Sequence, residues 1–179
     1  MKPDTIILHH SAIGGEAPQL HRIDAYHKSL GFPRSSMGFY VGYHCLIEKS
    51  GRKIWTRRPT EHGAHSGSKW NDRSIGICLA GNFVDEQPTK TQLNVLRDLV
   101  RRLKKRYNIQ DVKLHYEVRP TKCPAIDLRL LLDKYAKIPL QTRSNASKMA
   151  ERVLGRKLAR LLARGFTRRF WRLRKDASV

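Results

Sequence analysis

Cysteine is scarce in this sequence, and its scarcity limits what the cysteines can do. Three of the 179 residues are cysteines, an odd number that is too small for a disulfide framework. Cys45 and Cys78 lie within apolar runs, where a small buried side chain is the expected role. Cys123 follows a lysine in a polar, proline-containing turn. We therefore expect Cys123 to be the cysteine that carries chemistry.

Long apolar segments are also lacking. No apolar run approaches the roughly 18 residues that a membrane-spanning helix needs. The N-terminus carries Lys2 but no apolar core followed by a small-residue cleavage site, so no secretory signal peptide is predicted. We expect the chain to be synthesised, and at first retained, in a reducing cytoplasm.

Acidic residues are the third shortage. Asp and Glu number 15 against 36 Lys and Arg, which gives a formal net charge of +21. Such a charge favours an anionic partner, such as nucleic acid, lipid headgroups or an acidic wall polymer. Charge alone does not choose among them.

The order of the apolar segments predicts an α/β domain over residues 1–140, with a mixed central sheet flanked by about three helices. β-Branched and apolar runs predict strands at 5–8, 39–48, 53–55, 74–81 and 112–114. Glycines in the fourth of these runs suggest close approaches of the backbone.

Helical spacing of apolar residues predicts the three helices. The first lies between Pro18 and Gly31, and the second spans 89–106, with Thr89 or Thr91 as its cap. The third is predicted to begin at Pro124, because proline suits the first turn of a helix, and to end before residue 139.

Residues 141–179 form a polar linker followed by a predicted basic amphipathic helix. Arginines recur there at a strict spacing of four residues, as Arg152, Arg156, Arg160, Arg164, Arg168 and Arg172. Leucines and phenylalanines fall at helical spacing between them. Since an anionic surface would neutralise the arginines and bury the apolar face, we predict that residues 148–175 bind an anionic membrane or lipopolysaccharide. Nucleic-acid binding and a solvated helix are the alternatives.

A histidine and a cysteine eight residues apart suggest part of a metal site. His115 and Cys123 flank a short turn, and imidazole and thiolate are the usual zinc ligands. A catalytic zinc takes three protein ligands and a water, so a third residue is needed. His9 and His10 end the first predicted strand, which would hold a ligand rigidly. His9 is our candidate for the third ligand.

Several separated motifs resemble the zinc-dependent N-acetylmuramoyl-L-alanine amidases of the phage T-seven lysozyme and peptidoglycan recognition protein type. The matching segments are 7–12, 41–44, 65, 71–77, 115–118 and 123–124. Residues 142–179 lie outside the resemblance. The resemblance implies an amidase domain over residues 1–140, which we expect to act as a monomer.

The resemblance also implies roles for individual residues. The implied zinc ligands are His9, His115 and Cys123, whereas His10 occupies a position that varies in the family. Tyr43 matches the catalytic tyrosine of the family. Positions that line the substrate groove are matched by His65 and Asn71.

The sequence departs from the phage lysozyme pattern beside the cysteine ligand. That pattern has a catalytic lysine two residues before the cysteine, where this chain has Thr121, as recognition proteins with amidase activity do. Lys122 follows directly. We therefore treat Thr121 as the aligned catalytic residue and Lys122 as its alternative, whereas Glu117 is expected to support neighbouring residues or lie at the surface.

The implied reaction is hydrolysis of the amide bond between N-acetylmuramic acid and L-alanine in peptidoglycan, with Zn²⁺ as cofactor. Zinc can lower the pKa of a bound water to about 7, and Tyr43 is expected to hydrogen-bond that water or the developing oxyanion. A phage or prophage lysis enzyme, made in the host cytoplasm and acting on the periplasmic wall, fits best. The rival interpretation is a non-catalytic peptidoglycan-binding module, although such modules commonly lack the cysteine ligand that Cys123 supplies.

Overall fold

The structure is a computed structural model that describes residues 1–136. The predicted linker and basic helix at 141–179, including the predicted membrane-binding segment 148–175, lie outside these residues. Within residues 1–136, no helix has the length and apolar character needed to cross a membrane.

A five-stranded mixed sheet forms the centre of the described chain. Its strands are β1 (Thr5–His10), β2 (Cys45–Ile47), β3 (Lys53–Trp55), β4 (Ser74–Leu79) and β5 (Asp111–Leu114). The spatial order is β3-β2-β4-β1-β5. β1 is parallel to β4 and β5, β2 is parallel to β4, and β3 is antiparallel to β2. The predicted α/β fold with a mixed sheet is confirmed.

Four α-helices and one short 3₁₀ helix (His115–Glu117) accompany the sheet in the described residues, where about three helices were predicted. The α-helices are α1 (Leu20–Ser29), α2 (Ser68–Asn71), α3 (Lys90–Tyr107) and α4 (Leu128–Ala136). α3 begins with a capping box: the N–H of Gln92 donates to Thr89 Oγ1 at 3.0 Å, and the N–H of Thr89 donates to Gln92 Oε1 at 3.0 Å. Thr89, rather than Thr91, is therefore the cap.

Side chains that alternate along β2 and β4 divide the core between the two faces of the sheet. Ile6 and Leu8 are fully buried in the larger cluster, which includes residues of α3 and α4. Burial of each such side chain contributes about 1.5–3 kcal/mol. Ile23 of α1 packs with Leu46 and Cys78 in a smaller cluster. Cys45 and Cys78 are both fully buried, as predicted for small apolar side chains.

The second strand is shorter than the sequence predicts. The predicted run was 39–48, but only Cys45–Ile47 is a strand. Backbone donors before it bond to side chains of α1: Tyr40 and Val41 N–H donate to Asp24 Oδ1, and Gly42 N–H donates to His27 Nδ1. Since side chains of α1 satisfy these donors, residues 40–42 do not pair with the sheet through them.

The predicted start of the last helix at Pro124 was wrong. α4 begins at Leu128, because Asp127 Oδ1 accepts the N–H groups of Arg129 at 2.9 Å and Leu130 at 3.4 Å, which makes Asp127 the cap. Pro124 lies in the preceding turn, where Ala125 has a left-handed φ of 72°.

Candidate metal centre

Sheet topology brings the first two predicted ligands together. His9 lies near the carboxyl end of β1, and His115 directly follows β5. These strands are parallel neighbours, with Leu8 opposite Leu114, so their carboxyl ends lie side by side at the same end of the sheet. The third predicted ligand, Cys123, lies near the same strand ends because a turn leads the chain back there, and its Sγ accepts the N–H of His10 at 3.4 Å.

The geometry of the three side chains fits a zinc ion. One ligand atom from each of His9, His115 and Cys123 lies within 4.8 Å of the other two. His9 Nδ1 is 3.8 Å from Cys123 Sγ, and the two imidazole centroids are 4.4 Å apart. Nitrogen and sulfur ligands of a tetrahedral zinc lie about 3.3–3.6 Å apart, so small movements would complete the site. His115 Nδ1 is buried without a hydrogen-bond partner, as expected of an atom that binds a metal.

Burial controls the protonation of these groups. It holds the pKa of His9 well below its usual value, with further lowering by His65 and His115. It lowers the pKa of His115 to about 4, aided by the nearby Arg119 guanidinium, so both imidazoles are neutral. Burial raises the pKa of the Cys123 thiol to about 11, and a nearby cation would favour the thiolate. Neutral imidazole and thiolate are the metal-binding forms.

His10 has a different environment from His9. Its Nδ1 accepts the N–H of Phe83 at 3.0 Å, and its pKa is lowered by burial. That nitrogen is therefore engaged with the backbone. The structure brings His9, rather than its neighbour, together with His115 and Cys123.

Tyr43 lies beside the cluster. Its ring centroid is 5.0 Å from that of His9, at an interplanar angle of 52°. Burial raises the pKa of the Tyr43 hydroxyl well above its usual value, and the thiols of Cys78 and Cys123 raise it further. The phenol therefore stays protonated and can donate a hydrogen bond. Thr56 Oγ1 anchors the segment by donating to the Tyr43 carbonyl at 2.7 Å.

A groove of about 340 Å³ opens next to the cluster. It is lined by Phe32, Ala64, His65, Ser66, Gly67, Asn71, His115 and Arg119. Both predicted groove residues, His65 and Asn71, thus lie in its wall. Asn71 also supports the loop, since its Oδ1 accepts the N–H groups of His65 and Ser66, each at 2.9 Å.

The residues around the Cys123 turn have structural contacts. Thr121 and Lys122 are both exposed, and Thr121 Oγ1 accepts the N–H of Cys123 at 3.2 Å. Glu117 Oε2 accepts the N–H of Leu114 at 2.6 Å, and its Oε1 forms an ion pair with Arg129 at 3.0 Å. Glu117 therefore supports neighbouring residues, as expected.

Sequence reasoning missed part of the groove. Arg119 was not singled out, although its guanidinium lies against Gly67, where a Cβ would be 2.7 Å from Arg119 Nη1. The sequence signal for this approach was Gly67 itself, since glycine is the residue that permits a positive φ, here 78°, and a close approach of another group to the backbone. The predicted close approach at Gly76 is confirmed, since a Cβ there would lie 2.7 Å from the His65 ring.

Known proteins resemble this chain in sequence and in structure. The family model of N-acetylmuramoyl-L-alanine amidases matches residues 1–126. The endolysin of Escherichia phage T7 is 31% identical over 137 residues, which cover 73% of this chain and 86% of that protein. Peptidoglycan-recognition protein SD of Drosophila melanogaster is 34% identical over 98 residues, but the match covers 53% of this chain and 52% of that protein.

A solved structure gives the same assignment. The N-acetylmuramoyl-L-alanine amidase LysC from Clostridium intestinale superposes with a TM-score of 0.64 at 34% identity, covering 76% of this chain and 85% of that one. The described fold and the family match therefore agree over the same part of the chain. The chain belongs to the N-acetylmuramoyl-L-alanine amidase family and is a peptidoglycan amidase.

Proposed function

We propose that the chain hydrolyses the bond between N-acetylmuramic acid and L-alanine with a zinc ion held by His9, His115 and Cys123. One observation carries this proposal: His115 belongs both to the cluster of three ligand atoms and to the wall of the groove. A metal held there would adjoin any substrate bound in the groove. The amidase domain is proposed to span residues 1–140.

The side chains have separable tasks in this proposal. Zinc, when bound, supplies a water of lowered pKa and polarises the scissile carbonyl. The protonated Tyr43 hydroxyl donates a hydrogen bond to the oxygen on which negative charge develops. Thr121, or else Lys122, assists from the turn that carries the Cys123 ligand. His65 and Asn71 shape the groove that orients the muropeptide.

The proposed biological role is lysis of a bacterial host by a phage or prophage enzyme. The relatives from Escherichia phage T7 and Enterobacteria phage T3 are both named endolysins. The enzyme would be synthesised in the host cytoplasm and would act, as a monomer, on the periplasmic wall.

Residues 141–179 supply the second part of the proposal, which rests on their sequence. We propose that the helix predicted over 148–175 binds an anionic membrane or lipopolysaccharide. The broad apolar face between the arginines supports a membrane surface over nucleic acid, because a bilayer buries apolar side chains that a nucleic-acid groove leaves exposed.

The cleaved bond can be identified by mass spectrometry of wall digests. Purified peptidoglycan should release stem peptides with a free L-alanine amine, while the glycan strands stay intact. A zinc chelator should stop release, and added Zn²⁺ should restore it. Binding of wall fragments without any new amine terminus would identify a binding module and refute the proposal.

Truncation after Leu140 tests the proposed tail function. The shortened protein should still hydrolyse purified wall but should no longer lyse intact Gram-negative cells or cause liposome leakage. A matched full-length variant replaces Leu158, Leu161 and Leu162 with Ser, which keeps every charge. If that variant retains liposome leakage, charge alone explains binding, and the apolar face has no membrane role.

A further inference from the structure

The second ring nitrogen of His9 faces another imidazole. His9 Nε2 lies 3.0 Å from His65 Nδ1, and the rings meet edge to face, with centroids 5.0 Å apart and an interplanar angle of 90°. His65 is 8% exposed, so water has little access to compete for this contact. The contact lies on the side of the His9 ring opposite to Cys123, which faces Nδ1 at 3.8 Å.

The surrounding backbone is shaped to hold the His65 ring. A Cβ on Gly63 would lie 2.5 Å from the His65 ring, and one on Gly76 would lie 2.7 Å from it. The absence of side chains at both positions therefore makes room for the imidazole. Asn71 Oδ1 fixes the backbone by accepting the His65 N–H at 2.9 Å. Ser66 Oγ, 2.9 Å from His65 Nδ1, is the other polar group at that nitrogen.

We infer that His65 is a positioning residue that selects the tautomer and ring orientation of His9 for zinc binding. The inference rests on the proposed zinc site. If His9 binds through Nδ1, that nitrogen must present a lone pair, and the ring proton must be on Nε2. His65 Nδ1 then accepts this proton in a hydrogen bond, with the His65 ring proton on Nε2, an atom that is buried without a hydrogen-bond partner. This bond holds the His9 ring in the binding orientation.

This role differs from that of a groove residue. A side chain that only contacts substrate would affect KM and leave the metal affinity unchanged. A residue that orients a ligand affects the metal affinity, and loss of such a partner typically weakens metal binding about 10–100-fold. Zinc affinity measured without substrate therefore separates the two roles.

The experiment compares zinc dissociation constants by chelator competition for folded proteins, with circular dichroism as the check on folding. His65→Leu removes the acceptor and should weaken zinc binding about 10–100-fold. His65→Asn places an amide oxygen near the former Nδ1 and should restore most of the affinity. His27→Leu is the matched control, because His27 is also a buried imidazole whose Nδ1 accepts a hydrogen bond, but from the N–H of Gly42. Its zinc affinity should equal that of the wild type.

Nitrogen-15 NMR of histidine side chains in the zinc-loaded wild type provides a test that needs no variant. The expected spectrum shows His9 with its proton on Nε2. A proton on Nδ1, or a folded His65→Leu protein with wild-type zinc affinity, would overturn the inference. Failure of the wild type itself to bind zinc would instead refute the proposed zinc site, so the two failures are distinguishable.

Discussion

Five histidines of this domain fall into two groups that differ in what their Nδ1 atoms contact. In the first group Nδ1 accepts a backbone N–H at 3.0 Å, and the pairs are His10 with Phe83, His27 with Gly42, and His44 with Gly76. In the second group Nδ1 has no backbone partner. His9 Nδ1 faces Cys123 Sγ, and His115 Nδ1 is buried without a hydrogen-bond partner.

Burial does not separate the two groups. His9 and His44 are both fully buried, and burial lowers the pKa of each. The difference lies in the nitrogen lone pair, which is engaged with the backbone in one group and available in the other. Among these five imidazoles, hydrogen-bond accounting therefore separates structural side chains from candidate ligands where burial and pKa do not. His65, whose buried Nε2 also has no hydrogen-bond partner, is set apart only by its place outside the cluster of ligand atoms.

The strongest test of the comparison removes Cys123, the candidate ligand that His9 Nδ1 of the second group faces. Cys123→Ser should abolish measurable zinc binding and lower amidase activity by at least about 10⁴-fold, the scale seen when one member of a catalytic unit is lost. Chelator competition and release of L-alanine amine termini from purified wall measure the two effects.

Cys45→Ala is the matched control for that variant. Cys45 is fully buried in the larger core cluster, and burial raises its pKa to about 12. Its loss should cost on the order of 1 kcal/mol of unfolding free energy, as for other small core truncations, and should leave zinc binding intact. Wild-type zinc binding by Cys123→Ser would contradict the proposed zinc site, to which both histidines of the second group are assigned.

Tyr43→Phe separates the chemistry from metal binding. The variant keeps the ring beside His9 but loses the hydroxyl that is proposed to stabilise the oxyanion. We expect kcat to fall about 10²–10³-fold, as when one oxyanion donor is removed, while zinc affinity stays unchanged. A parallel loss of zinc affinity would assign Tyr43 to the support of the ligands instead.

The cluster of candidate ligands could be predicted from sequence because its members follow from local patterns. His9 ends an apolar strand, and His115 and Cys123 flank one turn, so strand order and spacing bring them together. The contact between His9 and His65 was not predictable in this way. It requires two residues 56 positions apart to pack through the spaces left by Gly63 and Gly76.

The two errors in the fold have the same origin. The strand predicted over 39–48 was too long because side chains of Asp24 and His27 bond to its backbone from a distant helix. The start of α4 was misplaced because proline at residue 124 and Asp127 compete as local signals, and hydrogen bonds to the Asp127 side chain determine the start. Local propensity is overridden where a specific side chain satisfies the backbone.

His44→Leu tests the first group of histidines. His44 Nδ1 accepts the Gly76 N–H, and its Nε2 donates to the Glu61 carbonyl at 2.8 Å. The substitution leaves these two backbone groups unpaired, at a cost of about 1–3 kcal/mol for each one that remains buried. Denaturant unfolding should show this loss, whereas the zinc affinity of the folded variant should match the wild type. A large loss of affinity without a loss of stability would place His44 in the second group.

The smallest expected effects distinguish Thr121 from Lys122, the two candidates for the residue that assists at the Cys123 turn. Thr121 Oγ1 accepts the Cys123 N–H, so Thr121→Ala removes a hydrogen bond worth about 0.5–1.5 kcal/mol from the turn that holds a ligand. That energy corresponds to a loss of about 2–10-fold in activity, and Thr121→Ser should restore it. Lys122 is exposed, so Lys122→Ala should change activity by less than about 2-fold, as for a surface substitution. A larger loss in Lys122→Ala than in Thr121→Ala would reverse the assignment, because it would require the ammonium group to act at the reacting carbonyl.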